Sequence, residues 1–190
     1  SIRRFSPVAL VWGALVLFLC GLIVAKALIG NRSPFAAVEG LPTYGSIPDF
    51  KLVESSGETF SISDLKGKVW VASLFFTHCA ATCPMMSSQL AKFQETVDNP
   101  NIVLVSISVD PERDTPEKIG EYVKSFDARF VGLTGSKEEV AAAAKAYRVY
   151  YQKVPGKEGS PYLMDHSSIV YLLDRNGRFV THFTHDAKAE

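Results

Sequence analysis

Cys79 and Cys83 stand four apart in the stretch Thr77-His78-Cys79-Ala80-Ala81-Thr82-Cys83-Pro84, between an apolar run and a helical pattern. In a strand their Cα atoms would lie about 13 Å apart at ~3.3 Å per residue. One helical turn brings them to about 6 Å, near the limit for a disulfide, so the spacing predicts a turn or a first helical turn. Pro84 suits the first position of a helix, which makes Cys83 the expected cap. Its sulfur would face unpaired amides at the positive end of the helix dipole, which favours thiolate. Paired thiolates support two chemistries, a dithiol–disulfide cycle or the capture of a soft metal.

An apolar run of strand length, residues 69–76, carries this loop at its C-terminal end, where sites in α/β sheets gather. Ahead of it, 50–53 and 58–61 read as a hairpin around Glu54-Ser55-Ser56-Gly57. Residues 85–97 read as a helix, with Met85 and Met86 as core residues rather than soft ligands. Residues 102–109 have the almost unbroken apolarity of a central parallel strand. Asp110-Pro111-Glu112-Arg113-Asp114-Thr115-Pro116 follows, with Thr115 capping and Pro116 opening a helix to 126. Asp110 and Asp114 have two readings: turn and cap chemistry, or acids at a strand end that tune the thiol loop or dock a partner. A short strand at 129–131 precedes a helix at 136–147, where Ser136 and Glu139 form a capping box.

Residues 148–165 make a long connection, and such length inside a compact domain signals function. It holds a possible hairpin, 150–154 with 162–164, around Pro155-Gly156-Lys157-Glu158-Gly159. Asp165-His166-Ser167-Ser168 leads into a strand at 169–173, an Asn176-Gly177 turn and a strand at 178–184.

The chain has 190 residues, a formal net charge of +0 and 47% hydrophobic residues, which fits one domain of ordinary size with an accessory segment. Nothing in the charge balance points to nucleic acid. Cys20 is isolated from the thiol pair, so the cysteines are not a disulfide scaffold. The accessory segment is 1–30: residues 8–25 carry no charge, and Lys26 is followed by Ala27-Leu28-Ile29. About 20 residues cross a hydrocarbon core of ~30 Å, and a terminal lysine snorkels. Arg3 and Arg4 then place the N-terminus in the cytoplasm and the rest, after a single pass, outside it. Ala25-Lys26-Ala27 also fits a signal-peptide cleavage site, but the apolar run exceeds the roughly 7–15 residues usual there, which favours an anchor. Both readings export the domain, and an exported thiol pair oxidises unless it is reduced or holds a metal. Residues 31–47, punctuated by glycine and proline, form a linker to the domain at 48–190.

The order ββ, β-loop-α, β-α, β-α and a terminal hairpin fits an α/β domain of thioredoxin-like type, a mixed sheet flanked by helices. Ordinary thioredoxins have C-x-x-C and a cis-proline loop opposite it. Here the spacing is C-x-x-x-C, and the opposing loop carries His166 with no proline from 162 onward.

Phe75-Phe76-Thr77-His78-Cys79 through Cys83-Pro84, Ser108-Val109-Asp110-Pro111 with Asp114-Thr115-Pro116, and Asp165-His166-Ser167-Ser168 together resemble the Sco/SenC family. These are membrane-anchored, thioredoxin-like proteins of cytochrome c oxidase assembly. The resemblance implies that Cys79, Cys83 and His166 bind copper, with delivery to or reduction of the dinuclear copper centre of the oxidase as the task. The partners it implies are the oxidase's copper-site subunit and other copper chaperones or thiol reductants. The chain departs from the family in having Ala80 where many members have proline. It also ends just after His185-Asp186, where the family fold usually adds a helix, so the expectation is a trimmed helix and a partly uncovered sheet face. Two thiolates and an imidazole suit Cu(I) and accommodate Cu(II). Zinc would want a fourth ligand or water, for which His78, His182 and His185 are the candidates. The alternative function is a thiol-disulfide oxidoreductase acting on the oxidase's copper-ligand cysteines through Cys79 and Cys83. A thiol peroxidase is a weaker third reading, since it gives His166 no task.

Overall fold

The computed structural model describes residues 20–21, 45–156 and 159–187. The chain separates into two units, Ser1–Leu41 and Pro42–Glu190, and the fold below is that of the second. The expected anchor at 1–30 lies outside the described residues save 20–21, as does the linker up to 44. Among the described residues no helix is long and apolar enough to cross a membrane.

Among the described residues nine strands run in chain order as β1 (Lys51–Glu54), β2 (Thr59–Ser61), β3 (Val69–Phe75), β4 (Ile102–Ser108), β5 (Val131–Thr134), β6 (Tyr151–Val154), β7 (Leu163–His166), β8 (Ile169–Leu173) and β9 (Phe179–Thr184). Seven of them form one mixed sheet in the order β2-β1-β5-β4-β3-β8-β9. β3 lies parallel to β4, from Val69 opposite Ile102 to Phe75 opposite Ser108, and antiparallel to β8 on its other side. Every residue of β3 is buried, as its unbroken apolar run requires of a strand covered on both faces. β6 and β7 pair only with each other, as a separate two-stranded sheet.

Three helices cover the sheet: α1 (Thr82–Val97), α2 (Pro116–Lys124) and α3 (Lys137–Ala146). Side chains alternate along β3. Phe75 stacks on Tyr122 of α2 at 4.8 Å, and the Tyr122 hydroxyl reaches Ser87 of α1 at 3.4 Å. Trp70, on the opposite face, donates from Nε1 to the Tyr147 hydroxyl at the end of α3 at 3.2 Å. The architecture is the thioredoxin-like α/β fold expected, a mixed sheet with helices on both faces.

Thr115 caps α2, and Ser136 with Glu139 boxes the start of α3, both as predicted. The short strand lies at Val131–Thr134 rather than 129–131. Arg129 is taken up in a turn, paired with Asp127 at 2.6 Å and Asp98 at 2.9 Å. Met86 is core, but Met85 is 45% exposed, contrary to its expected place. Only one of two adjacent helix positions faces the sheet here.

Candidate metal centre

After β3 the chain turns, the Cys79 amide donating to the Phe76 carbonyl at 3.2 Å, and α1 begins at Thr82. The helix is therefore capped at Ala81 and not at Cys83, and Pro84 is its third residue. A proline is tolerated there because the first amides of a helix have no intrahelical partner. The earlier start turns Cys83 into the core, where it is fully buried. It is Cys79 that stands before the positive end of α1, its Sγ accepting from the Cys83 amide at 3.3 Å.

The expected thiolate thus moves from Cys83 to Cys79. The hydrogen bond from the Cys83 thiol does most to hold Cys79 down, to about 5. Burial opposes it, and the Ala81 and Cys83 amides and the charge of His166 assist. The Cys83 thiol is pushed up, first by that same bond to Cys79 and then by burial. Both are free thiols.

His166 closes β7, 83 positions beyond Cys83 in the chain, yet its Nε2 lies 3.5 Å from the Cys83 Sγ. Its Nδ1 is 3.2 Å from the Ser167 carbonyl oxygen. A carbonyl only accepts, so Nδ1 carries the hydrogen and the lone pair of Nε2 faces the thiol. Burial lowers the pKa of the ring, against the raising effects of the Ser167 carbonyl and the Cys79 and Asp165 charges, and so favours the neutral imidazole. Phe76 meets it edge-on at 5.7 Å.

The three residues singled out from the sequence are therefore neighbours. They are not a closed cage: among the described residues no three His, Cys, Asp or Glu side chains already converge on one point as a metal would require. The donor chemistry still fits copper, with two thiols and one lone-pair nitrogen in contact around Cys83. His78 instead meets the Thr77 hydroxyl at 3.1 Å, and His182 stacks on Phe179 at 6.2 Å. His185 borders an apolar groove of about 300 Å³ with Met86, Leu90 and Phe183.

Asp114 does reach the thiol loop, accepting from the Thr77 amide at 3.0 Å and from the Thr77 hydroxyl. It also accepts from Ser108 Oγ at 2.6 Å. Asp110 accepts from the Tyr162 hydroxyl at 2.8 Å and pairs with Arg113 Nε. Thr77, Arg113 and Tyr162 were not foreseen as parts of the site. The available signals were Thr77 directly beside the thiol motif, and a hydroxylated aromatic at the mouth of the long connection.

The SCO1/SenC family model matches residues 41–190. Human "Protein SCO1 homolog, mitochondrial" is 40% identical over 149 residues, which cover 76% of this chain and 48% of that one. Copper-bound ScoI from Arabidopsis thaliana is 38% identical and superposes with a TM-score of 0.69 over 75% of this chain and 89% of that one. BsSco, a member of the Sco family of cytochrome c oxidase assembly proteins in which a disulfide switch has been identified, is 27% identical, with a TM-score of 0.60 over 77% and 86%. A family match over most of the chain, joined to this site and this fold, makes the chain a member of the SCO1/SenC family.

Proposed function

We propose that this chain is a copper-binding metallochaperone for the dinuclear copper centre of cytochrome c oxidase, with Cys79, Cys83 and His166 as ligands. The observation that carries the reading is the lone pair of His166 Nε2 aimed at a free thiol pair, 3.5 Å from Cys83. Copper-bound ScoI and the oxidase-assembly role of the family of BsSco support it. Copper is the cargo, and when bound it supplies a soft acceptor for two thiolates and an imidazole.

The chain's own groups are arranged for that task. Cys79 is already deprotonated at neutral pH, while Cys83 must lose its proton, so loading releases a proton to solvent. The Ser167 carbonyl holds the ring in the tautomer that leaves Nε2 free. Burial of Cys83 and the edge of Phe76 keep water from the inner side.

A second reading is favoured by a different observation, a half-buried low-pKa Cys79 beside a buried Cys83, the pairing a thiol-disulfide oxidoreductase needs. It would reduce the oxidase's copper-ligand cysteines. His166→Ala separates the two readings. It should leave the dithiol able to form and reduce a disulfide but weaken copper retention by at least the ~10–100-fold that loss of a supporting partner costs. Cys79→Ser or Cys83→Ser should abolish both properties. Full oxidase assembly in cells by His166→Ala, with failure by Cys79→Ser, would instead mark a thiol reductase.

The same reading makes residues 1–30 a single-span anchor, 31–47 a linker, and 48–190 a domain outside the cytoplasm, on the periplasmic side or its equivalent. Other copper chaperones or thiol reductants would serve it there. Its support is the uncharged run at 8–25 behind Arg3 and Arg4. A reporter fused after Thr184 should be active only if it is one that needs export; activity solely of a cytoplasmic reporter would overturn this topology.

A further inference from the structure

His166 rides on an element that the main sheet does not hold. β6 and β7 pair with each other from Tyr151 opposite His166 to Val154 opposite Leu163, and neither pairs with any strand of the seven-stranded sheet. The nearest strand register, Val170 of β8 opposite Ser73 of β3, lies four residues beyond His166, so the far side of the hairpin needs a tie of its own.

Tyr162, immediately before β7, is that tie. Its hydroxyl donates to Asp110 Oδ1 at 2.8 Å, and its carbonyl accepts from Arg113 Nη1 at 2.8 Å. The Arg113 guanidinium lies 3.7 Å from the centre of its ring, and Lys153 Nζ of β6 lies 4.3 Å from it. Arg113 Nε closes the triangle onto Asp110, and Lys153 also pairs with Glu112. Four of these contacts run between the hairpin and the segment 110–113 that follows β4: Tyr162 with Asp110, Tyr162 twice with Arg113, and Lys153 with Glu112.

The same segment holds the other half of the site. The Asp110 amide donates to Ser108 Oγ at 3.0 Å, Ser108 donates to Asp114 at 2.6 Å, and Asp114 holds Thr77, two residues before Cys79. The segment is itself a tight turn, with the Arg113 and Asp114 amides on the Asp110 carbonyl at 3.1 and 3.0 Å. Asp110 and Asp114 are each 1% exposed. Buried, mutually satisfied carboxylates resist displacement far more than a surface pair does, because breaking one bond leaves a charge uncompensated.

From this juxtaposition we infer that Tyr162, clamped by Arg113 and Asp110, is a positioning residue that sets His166 against the thiol pair. The inference rests on the ligand set proposed above, since it gives His166 a metal to meet. Ligand placement is a matter of about half an ångström in a working site, and a cation–aromatic clamp joined to a part-buried hydroxyl bond on the buried Asp110 carboxylate is stiff enough to supply it.

The test uses the full chain with Tyr162→Leu, which removes ring and hydroxyl, and Tyr162→Phe, which removes only the bond to Asp110. Each is made alone and with His166→Ala. Copper retention against a competing chelator should fall ~10–100-fold in Tyr162→Leu and less in Tyr162→Phe. The dithiol's reduction potential and alkylation rate should stay put. In the His166→Ala background neither change should weaken retention further, because the interaction they serve is gone. In the metal-free chain, hydrogen exchange should quicken in β6 and β7 and not in β3 or α1.

A Tyr162 effect that persists in full without His166, or that moves the dithiol potential as much as copper retention, overturns the positioning role and leaves the ligand set standing. Wild-type retention by His166→Ala overturns the ligand set and the positioning role together. If Tyr162→Leu does not fold, Tyr162→Phe carries the decision, and unchanged retention and exchange in it overturn the proposal.

Discussion

Cys79 and Cys83 share a motif but not a state. Cys79 is half-buried and accepts hydrogen bonds from the Cys83 thiol and amide, whereas Cys83 has no exposed surface and keeps its proton. Alkylation of the reduced, metal-free chain should therefore begin at Cys79, its rate rising through pH about 5 and levelling by neutral pH. Cys83→Ala, which removes the donor, should move that midpoint upward, toward the ordinary thiol range. Equal rates at the two cysteines, or a midpoint near the ordinary value, would refute the assignment. The sign for stability follows. Cys79's folded pKa is depressed, so its contribution is full above the usual 9.0 and is lost as pH falls through about 5. The lowered value of His166 acts the same way below 6.5. Residue types and spacing made the thiol pair legible, and His166 joined it through the family resemblance and the place of its loop. Which sulfur is charged was not, because it depends on where α1 starts. A helix turns by about 100° per residue, so a start two residues earlier carries Cys83 from the amides into the core.

Among the elements, β3 and β4 are legible because strands covered on both faces must be apolar throughout, and α2 and α3 because their caps are written in Thr115-Pro116 and in Ser136 with Glu139. β5 was misplaced because Phe130-Val131 looks like a strand and Gly132 like its end. In the fold Gly132 is a strand residue of necessity. A Cβ there would sit 2.5 Å from Ile119 Cγ2 and 3.2 Å from both methyls of Val123. Those side chains are themselves buried, at 0% and 1% exposure, and have nowhere to retreat. Gly132→Ala should destabilise the fold by about 1–3 kcal/mol through overpacking. In a denaturant titration this would appear as a lower midpoint with an unchanged slope. An unchanged midpoint would show that α2 shifts freely over β5.

At the scale of the molecule, the site joins two pieces of the fold that strand pairing leaves separate. Its thiols stand beyond the end of β3 and at the start of α1, its imidazole on β7. That meeting was invisible to local spacing, since the two lie 83 positions apart, and it became legible only through the family resemblance and the place of the loop opposite the dithiol. A metal that joins Cys83 to His166 closes a loop of that length, and it binds the folded chain in preference to the unfolded one. Copper loading should raise the thermal midpoint of the full chain, and His166→Ala should lose most of the rise. An equal rise in that variant would mean that the metal does not bridge the two pieces. The lack of strand pairing between the hairpin and the main sheet has one more consequence. Copper that joins His166 to the thiols, as proposed, would add a second fastening to the one at Tyr162, so the hairpin would carry information as well as a ligand. A partner that touches it could then distinguish a full molecule from an empty one before any exchange begins. A binding protein selected against the copper-loaded chain should read the same signal, and equal recognition of the empty chain would deny it.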